Sequence, residues 1–345
     1  MVASSKDQAR EFARLLEQYE PEIRRAFYAS VTDLQSQVDW PALIAALEAG
    51  DMESAIAALH IDAAAFAEYS SAMTQAYAAS GASTAAQIGL VGVRFNMSNP
   101  AAQEWIAKSV GERITGFVQE QIQSARELIG AGYAEGKGPR QIGLDLVGRV
   151  ASGGKREGGI LGLDGPRAAR YSKVVDAMRT ADGVASIVNE HADGSLSLKY
   201  KVNKATAARI LRAYRNGTAV PAADRAISER QYYNALLKAR GDTIGRTETA
   251  NAVMNARFEQ WRQLAELRGL DASAVIKTWN HNGGATEHHR PTHLAMNGKS
   301  VRGLYTPFVF YDGTQMLVSH DANAGPENVI SCRCSVSFRL AMRVS

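Results

Sequence analysis

The strongest constraint on this chain is a helical rhythm that gives way, late in the sequence, to strand-like alternation. Over most of the first 135 residues, and again over about 204–268, apolar residues recur every three to four positions in sequence poor in Pro. From Asp271 the pattern changes. Val275-Ile276-Lys277-Thr278-Trp279 reads as a strand, and near the C-terminus Val336, Phe338 and Leu340 alternate with Ser335, Ser337 and Arg339. The expected fold is mainly α with a small α+β C-terminal domain, the long helices lying in the N-terminal and central regions.

At 345 residues the chain suits about two domains of roughly 100–200 residues each. We divide it into an acidic helical region (1–150), a stretch with a Gly-rich linker, a helix and a small β-hairpin (151–203), and a basic helix with an α+β unit (204–345). Within the first, residues 5–32 predict a helix pair broken or kinked at Pro21. A short helix follows Asp51, and a longer one starts at Asn99-Pro100 and ends at Gly130 or Gly132. Another runs from Arg140 to Arg149. Strands are expected around Val184–Val188 and Leu196–Val202, joined at Ala192–Ser195. Helices are expected over 204–216 and 223–268. Gly241 and Gly245 either kink the latter or admit a close neighbour. Residues 280–300 read as loop.

Charge is polarised. Residues 1–80 hold five basic and twelve acidic residues, a net of −7, whereas 201–270 hold thirteen and six, a net of +7. An acidic front and a basic middle suggest surfaces with different partners. The basic stretch suits double-stranded DNA or an acidic protein, touched through Arg209, Arg212, Arg215, Arg230, Lys238 and Arg240. Equally, it suits a solvated helix face, since the charges are interleaved with Glu and form no dense block.

Several classes are disfavoured. Two cysteines cannot build a disulfide scaffold. No apolar run approaches the ~18–20 residues of a membrane span, and the polar start at Met1–Asp7 predicts no signal peptide. The Gly153–Gly159 loop fails as a phosphate-binding loop because Lys155 is not followed by Ser or Thr. No G-x-S-x-G occurs. His289-x3-His293 lacks the Glu of a zinc-protease helix, and Pro291 is expected to break a helix there. The expectation is a non-catalytic protein.

Five of the seven histidines, His281, His288, His289, His293 and His320, lie within forty residues, and Cys332 and Cys334 follow. A tetrahedral zinc site drawn from His289, His293, Cys332 and Cys334 is one reading. The alternatives are surface histidines at 288 and 289, a hydrogen-bonded structural His293 and a buried strand cysteine, or a redox or catalytic thiol paired with His293.

Four elements in order resemble the Mu F-like head-morphogenesis minor capsid proteins of tailed bacteriophages. They are Ile244-Gly245-Arg246-Thr247-Glu248-Thr249, Trp279, Arg290-Pro291-Thr292-His293 running on to Asn297-Gly298, and Cys332-Arg333-Cys334. Weaker similarity extends upstream, so the resemblance spans roughly 100–340. It implies a minor head protein bound to the portal protein at the portal vertex inside the virion head. Such a protein assists procapsid assembly with capsid and scaffolding proteins, works in the host cytoplasm during assembly, and serves DNA packaging or ejection. An internal DNA-binding protein ejected with the genome is the alternative, with a zinc-dependent enzyme further behind. Some relatives carry a Cys pair where Arg290 and His293 stand, completing a four-thiol zinc site. Others carry a toxin or enzyme domain after the C-R-C element, for which the eleven residues beyond Cys334 leave no room. Arg246, Glu248, Arg290 and His293 are expected to clamp the long helix to the C-terminal unit, and Asn297-Gly298 to turn the chain into a strand.

Overall fold

The computed structural model describes residues 2–150, 154, 156–281 and 289–341. It is 64% helical, with long helices, a few small antiparallel sheets and an α+β C-terminal region. Two compact units are each assembled from segments distant in sequence. Unit 1 comprises 1–27, 67–112 and 242–345, and unit 2 comprises 28–66 and 113–241. Both boundaries drawn from the sequence, at 150 and 203, fall inside unit 2.

The helices bearing the argument are α1 (Ser5–Gln37), α2 (Ala67–Ile88), α3 (Gly111–Ala134) and α4 (Ala222–Arg268). Pro21 does not break α1. Pro21 and Glu17 both face outward, so the carbonyl that loses its partner reaches water. The helix begun at Asn99 passes through a π-helical turn at Ile106–Val110 and ends at Ala134, beyond both glycines expected to stop it. Gly132 has a packing role instead, because a Cβ there would stand 2.7 Å from Ile142. Val184 lies in a helix, Ala181–Ser186, capped by Thr180, and the hairpin is the shorter pair Val188–Glu190 and Leu196–Leu198. The Arg140 helix runs Pro139–Val147. Part of the Gly153–Gly159 loop, and His288, lie outside the described residues.

Gly241 and Gly245 do not interrupt α4; they permit close packing against α1. A Cβ at Gly245 would stand 2.8 Å from the Glu20 carbonyl oxygen, and one at Gly241 2.5 Å from the Tyr28 ring.

Unit 1 carries a three-stranded antiparallel sheet ordered β2-β1-β3, where β1 is Val275–Asn280, β2 Ser300–Arg302 and β3 Ser335–Leu340. Ile276 pairs with Arg302 on one side and Arg339 on the other. On β1, Val275, Lys277 and Trp279 are buried. Strand β3 is an edge, and at Phe338 that edge is completed by a side chain. The Gln8 amide accepts from the Phe338 N–H (2.9 Å) and donates to its carbonyl (2.8 Å). Arg257 of α4, 1% exposed, donates to the carbonyls of Gln8 and Val336 and lies over the Phe12 ring. Burial pulls its pKa down to about 10, which leaves it charged at neutral pH.

Unit 2 is built around Leu43, Leu47, Ile142, Leu146, Tyr171, Val174, Tyr232 and Tyr233. A loop at Ile160–Leu163 passes through this core, and side chains satisfy its backbone. Gln121 accepts from the Gly162 N–H (2.6 Å) and donates to the Leu163 carbonyl (2.5 Å). Tyr233 donates to Leu161, and Arg240 to Gly162.

Lys277 is fully buried, its Nζ donating to the Leu317 carbonyl (2.8 Å) near the rings of Phe258 and Phe308. Burial lowers its pKa from 10.5 to about 8, although Asp321 opposes the shift. The folded chain therefore binds this proton less readily than the unfolded chain. The cost of the buried charge is fully present below pH 8 and disappears as pH rises to 10.5. Unfolding free energy is expected to rise by about 3 kcal/mol across that window. In urea titrations Lys277→Met should lack this component; an identical pH profile in both chains would refute the assignment.

Candidate metal centre

The site is held by three elements. The turn after β1 is fixed by Asn297, whose Oδ1 accepts from the His281 N–H, and by Gly298, whose N–H donates to the Trp279 carbonyl. Gly298 takes φ +77, a conformation that glycine tolerates and that sends the chain back into β2. A short helix, Pro291–Ala295, carries His293. Pro291 starts this helix and does not break it, since a first-turn residue needs no N–H partner. The third element is the Cys332-Arg333-Cys334 segment entering β3.

Cys332, Cys334 and His293 are 3%, 2% and 1% exposed. The Nδ1 atom of His293 stands 3.4 Å from Cys332 Sγ and 3.6 Å from Cys334 Sγ. The three donor atoms lie within 4.8 Å of one another and could hold a metal ion. On the far side of its ring, His293 Nε2 faces Asn328 Oδ1 at 3.4 Å. The rings of Trp279 and Phe310 wall it in, each with its centroid 5.4 Å away. A hydrogen bond from Cys334, supported by His293, favours Cys332 as thiolate, while the same bond and burial keep Cys334 protonated.

Of the four ligands expected from sequence, His289 stands apart. It is exposed, and its Nδ1 faces His281 Nε2 at 3.0 Å. His281 stands closer to the thiols, its Nδ1 3.3 Å from Cys334 Sγ. Burial and, next, His289 lower its pKa. The other residue missed from sequence is His320, 1% exposed, with neither ring nitrogen hydrogen-bonded. Burial lowers its pKa, against the opposing effects of Cys332 and of the Cys334 backbone. Spacing along the chain gave no sign that His281 meets a thiol, because its loop reaches Cys334 only through the fold.

Thr247, the neighbour of Arg246 and Glu248, makes a bond from α4 to the C-terminal segment. Thr247 Oγ1 accepts from the Ser331 N–H at 3.0 Å, joining α4 to the residue before Cys332. Arg290 donates to the carbonyls of Glu327 (2.6 Å) and Ile330 (2.7 Å). Arg246 is half-buried with its Nε unbonded, and Glu248 is buried. Trp279 is fully buried, stacked edge-on against Phe308 and Phe310.

The six basic residues considered for DNA divide. Arg240 is a correction: it is 3% exposed, tied to the Gly162 carbonyl and Glu120, and lies over Phe117, because Gly162 needs a buried donor. Arg209 pairs with Asp224 and Arg230 with Glu157. Arg212, Arg215 and Lys238 are exposed.

Unit 2 also holds two carboxylates that sequence did not single out, the half-buried Asp145 and the buried Glu229. They line a cavity of about 190 Å³ with Arg149 and Tyr171. Burial raises both pKa values. Arg179 and Lys137 answer Asp145, while Arg149 and Arg225 answer Glu229, so the group reads as a charge network within the core.

Comparison with models of known protein families, with curated proteins and with solved structures finds no match to this chain.

Removing the Thr247 hydroxyl should loosen the cysteine segment without touching a thiol. In metal-free protein, alkylation of Cys332 and Cys334 is expected to quicken about fivefold in Thr247→Val, matching the loss of about 1 kcal/mol. An unchanged rate would mean that this bond does not hold the segment.

Proposed function

We propose that the chain is a minor head protein of a tailed phage, bound to the portal protein at the portal vertex and acting in assembly without catalysis. One observation carries the reading: the four short motifs behind the resemblance, separated by up to 90 residues, meet around one centre. Thr247 holds the loop before Cys332, Trp279 flanks His293, Arg290 ties down the approach to the cysteines, and Asn297-Gly298 turns the chain beside them. Short motifs matched by accident have no reason to converge in this way.

We further propose zinc as the ion for the His293, Cys332 and Cys334 donors. Two thiols and an imidazole suit its softness. Zinc ligands at ~2.3 Å for sulfur and ~2.0 Å for nitrogen stand about 3.5 Å apart around a tetrahedron, and the two N···S separations are 3.4 and 3.6 Å. Bound there, zinc would supply a structural cross-link between β3 and the Pro291 helix. His293 is held for that task by Asn328, and the aromatic wall keeps water from the thiols.

The acidic N-terminal helices are the proposed docking surface, and the pairing of Arg209 and Arg230 makes double-stranded DNA a secondary partner. Co-purification with the portal protein tests this, using the full chain, a charge-reversed chain with Glu17→Lys and Glu48→Lys, and a folded-state check by circular dichroism. Both changes fall on exposed positions. The full chain should bind the portal and the reversed chain should bind at least about tenfold more weakly. No retention of the full chain would overturn the portal assignment; equal retention would overturn the docking surface.

A further inference from the structure

Two helices of unit 2 run side by side without filling the space between them. Ser124 of α3 faces Gly165 at one end, where a Cβ on the glycine would stand 3.9 Å from the serine Oγ. At the other end Lys137, just past α3, donates to Asp176 at 2.7 Å. The helix Gly165–Ala177 therefore lies parallel to α3. Its buried stripe of Tyr171, Val174 and Val175 packs into the core, and the flank turned to α3 holds Gly165, Ala168, Ala169 and Ser172. On α3, Ser124 and Ala131 are small too, so that only Leu128 and Ile160 among the described lining residues are large and apolar. A cleft of about 420 Å³ is left, in the size range of small-ligand sites. Its lining spans eleven residues of each helix, about 16 Å at 1.5 Å per residue.

Ser124 is 5% exposed and Ser172 half-buried; both line the cleft, and neither hydroxyl has a hydrogen-bond partner among the described residues. A helical serine can bond the carbonyl one turn back, as Ser228 does with Asp224. These two do not, and a buried hydroxyl needs a partner from somewhere. The charged groups of the lining divide. Glu135 and Asp176 are held by Lys137 at 3.0 and 2.7 Å, and Glu127 accepts from the Gln123 amide at 2.8 Å. Lys173, exposed and next to Ser172, has no ion pair or hydrogen bond among the described residues. An anionic group thus finds both a hydroxyl and a free ammonium there. Ser124, one residue short of a turn from Glu127, suits a neutral hydroxyl better than a second anion. Between the two anchors the lining is aliphatic, with Leu128, Ile160 and Ala168. Both helices spend their backbone groups on themselves, so an extended peptide laid in the cleft would find no partners for its amides.

We propose that this cleft binds an unbranched aliphatic acid with a hydroxyl at its far end, the carboxylate meeting Ser172 and Lys173 and the hydroxyl meeting Ser124. The levels of Gly165 and Ser172 are seven residues apart, ~10 Å along the helix, which takes about eight bonds of an extended chain whose every three bonds cover at most ~3.6 Å. The site stands apart from the phage-head and zinc readings, since every residue in it belongs to unit 2 and none to the thiol cluster.

Calorimetric titration of the full-length chain with 8-hydroxyoctanoate, octanoate and 1,8-octanediol tests the proposal. The hydroxy acid should bind best, with octanoate about fivefold weaker for one lost neutral hydrogen bond and the diol about fivefold weaker for the lost charge. Lys173→Ala should weaken both acids about fivefold and leave the diol unchanged. Ser124→Ala should bring the hydroxy acid and octanoate level. Ala169→Trp, at an exposed position on the rim, should block the cleft and abolish binding while the circular dichroism spectrum stays that of the wild type. No binding of any of the three compounds at millimolar concentration, or undiminished binding to Ala169→Trp, would overturn the site. Binding that Ala169→Trp abolishes but that neither Lys173→Ala nor Ser124→Ala alters would overturn the ligand class.

Discussion

A three-stranded sheet at the end of a helical chain cannot satisfy its own outer edge, and unit 1 is organised around that constraint. Every buried N–H and carbonyl needs a partner. Strand β3 finds some of them in helical side chains: Gln8 bonds both backbone groups of Phe338, and Arg257 reaches the Val336 carbonyl. Thr247 does the same for the residue leading into the strand. These bonds explain why α4 carries Arg and Thr at buried positions, where an apolar residue would pack more cheaply. They also explain the two glycines on α4, since the helix must approach α1 closely for Gln8 and Arg257 to meet.

The same arrangement sets up the thiol and imidazole cluster. Once β3 is fixed against α1 and α4, Cys332 and Cys334 are carried into the interior beside Trp279, and the turn at Asn297-Gly298 returns the chain near His293. A buried thiol packs as a small apolar group, whereas a buried imidazole needs a hydrogen-bonding neighbour or an ion. Their convergence on one point is what would let one ion hold all three donors. A small sheet with few strands is also where a cross-link stabilises most, because its own hydrophobic core is limited.

Much of this was legible in the residues. Caps marked helix starts at Asp51 and Asn99, where each side chain accepts from the backbone as its type predicts. Alternation marked β1 and β3. What the sequence obscured depended on contacts made in three dimensions. Pro21 stays within α1 because its unpaired carbonyl faces water, and Pro291 opens a helix because no donor is needed there. Arg240 resembles its exposed neighbours in sequence but serves the buried Gly162 carbonyl. Among the histidines, spacing favoured His289, adjacent along the chain to His293. The fold turned that residue outward and brought in His281 from a loop whose path no local pattern reveals.

The central claim is that one buried cluster joins α4, the Pro291 helix and β3 into a single cooperative unit. Native-state hydrogen exchange read by mass spectrometry, on full-length reduced protein with and without a zinc chelator, tests it most directly. With the proposed zinc bound, peptides covering 244–250, 290–297 and 327–340 are predicted to lose protection together when the chelator is added, while those from 113–241 stay unchanged. Protection unaltered by the chelator, or lost evenly along the whole chain, would contradict the account.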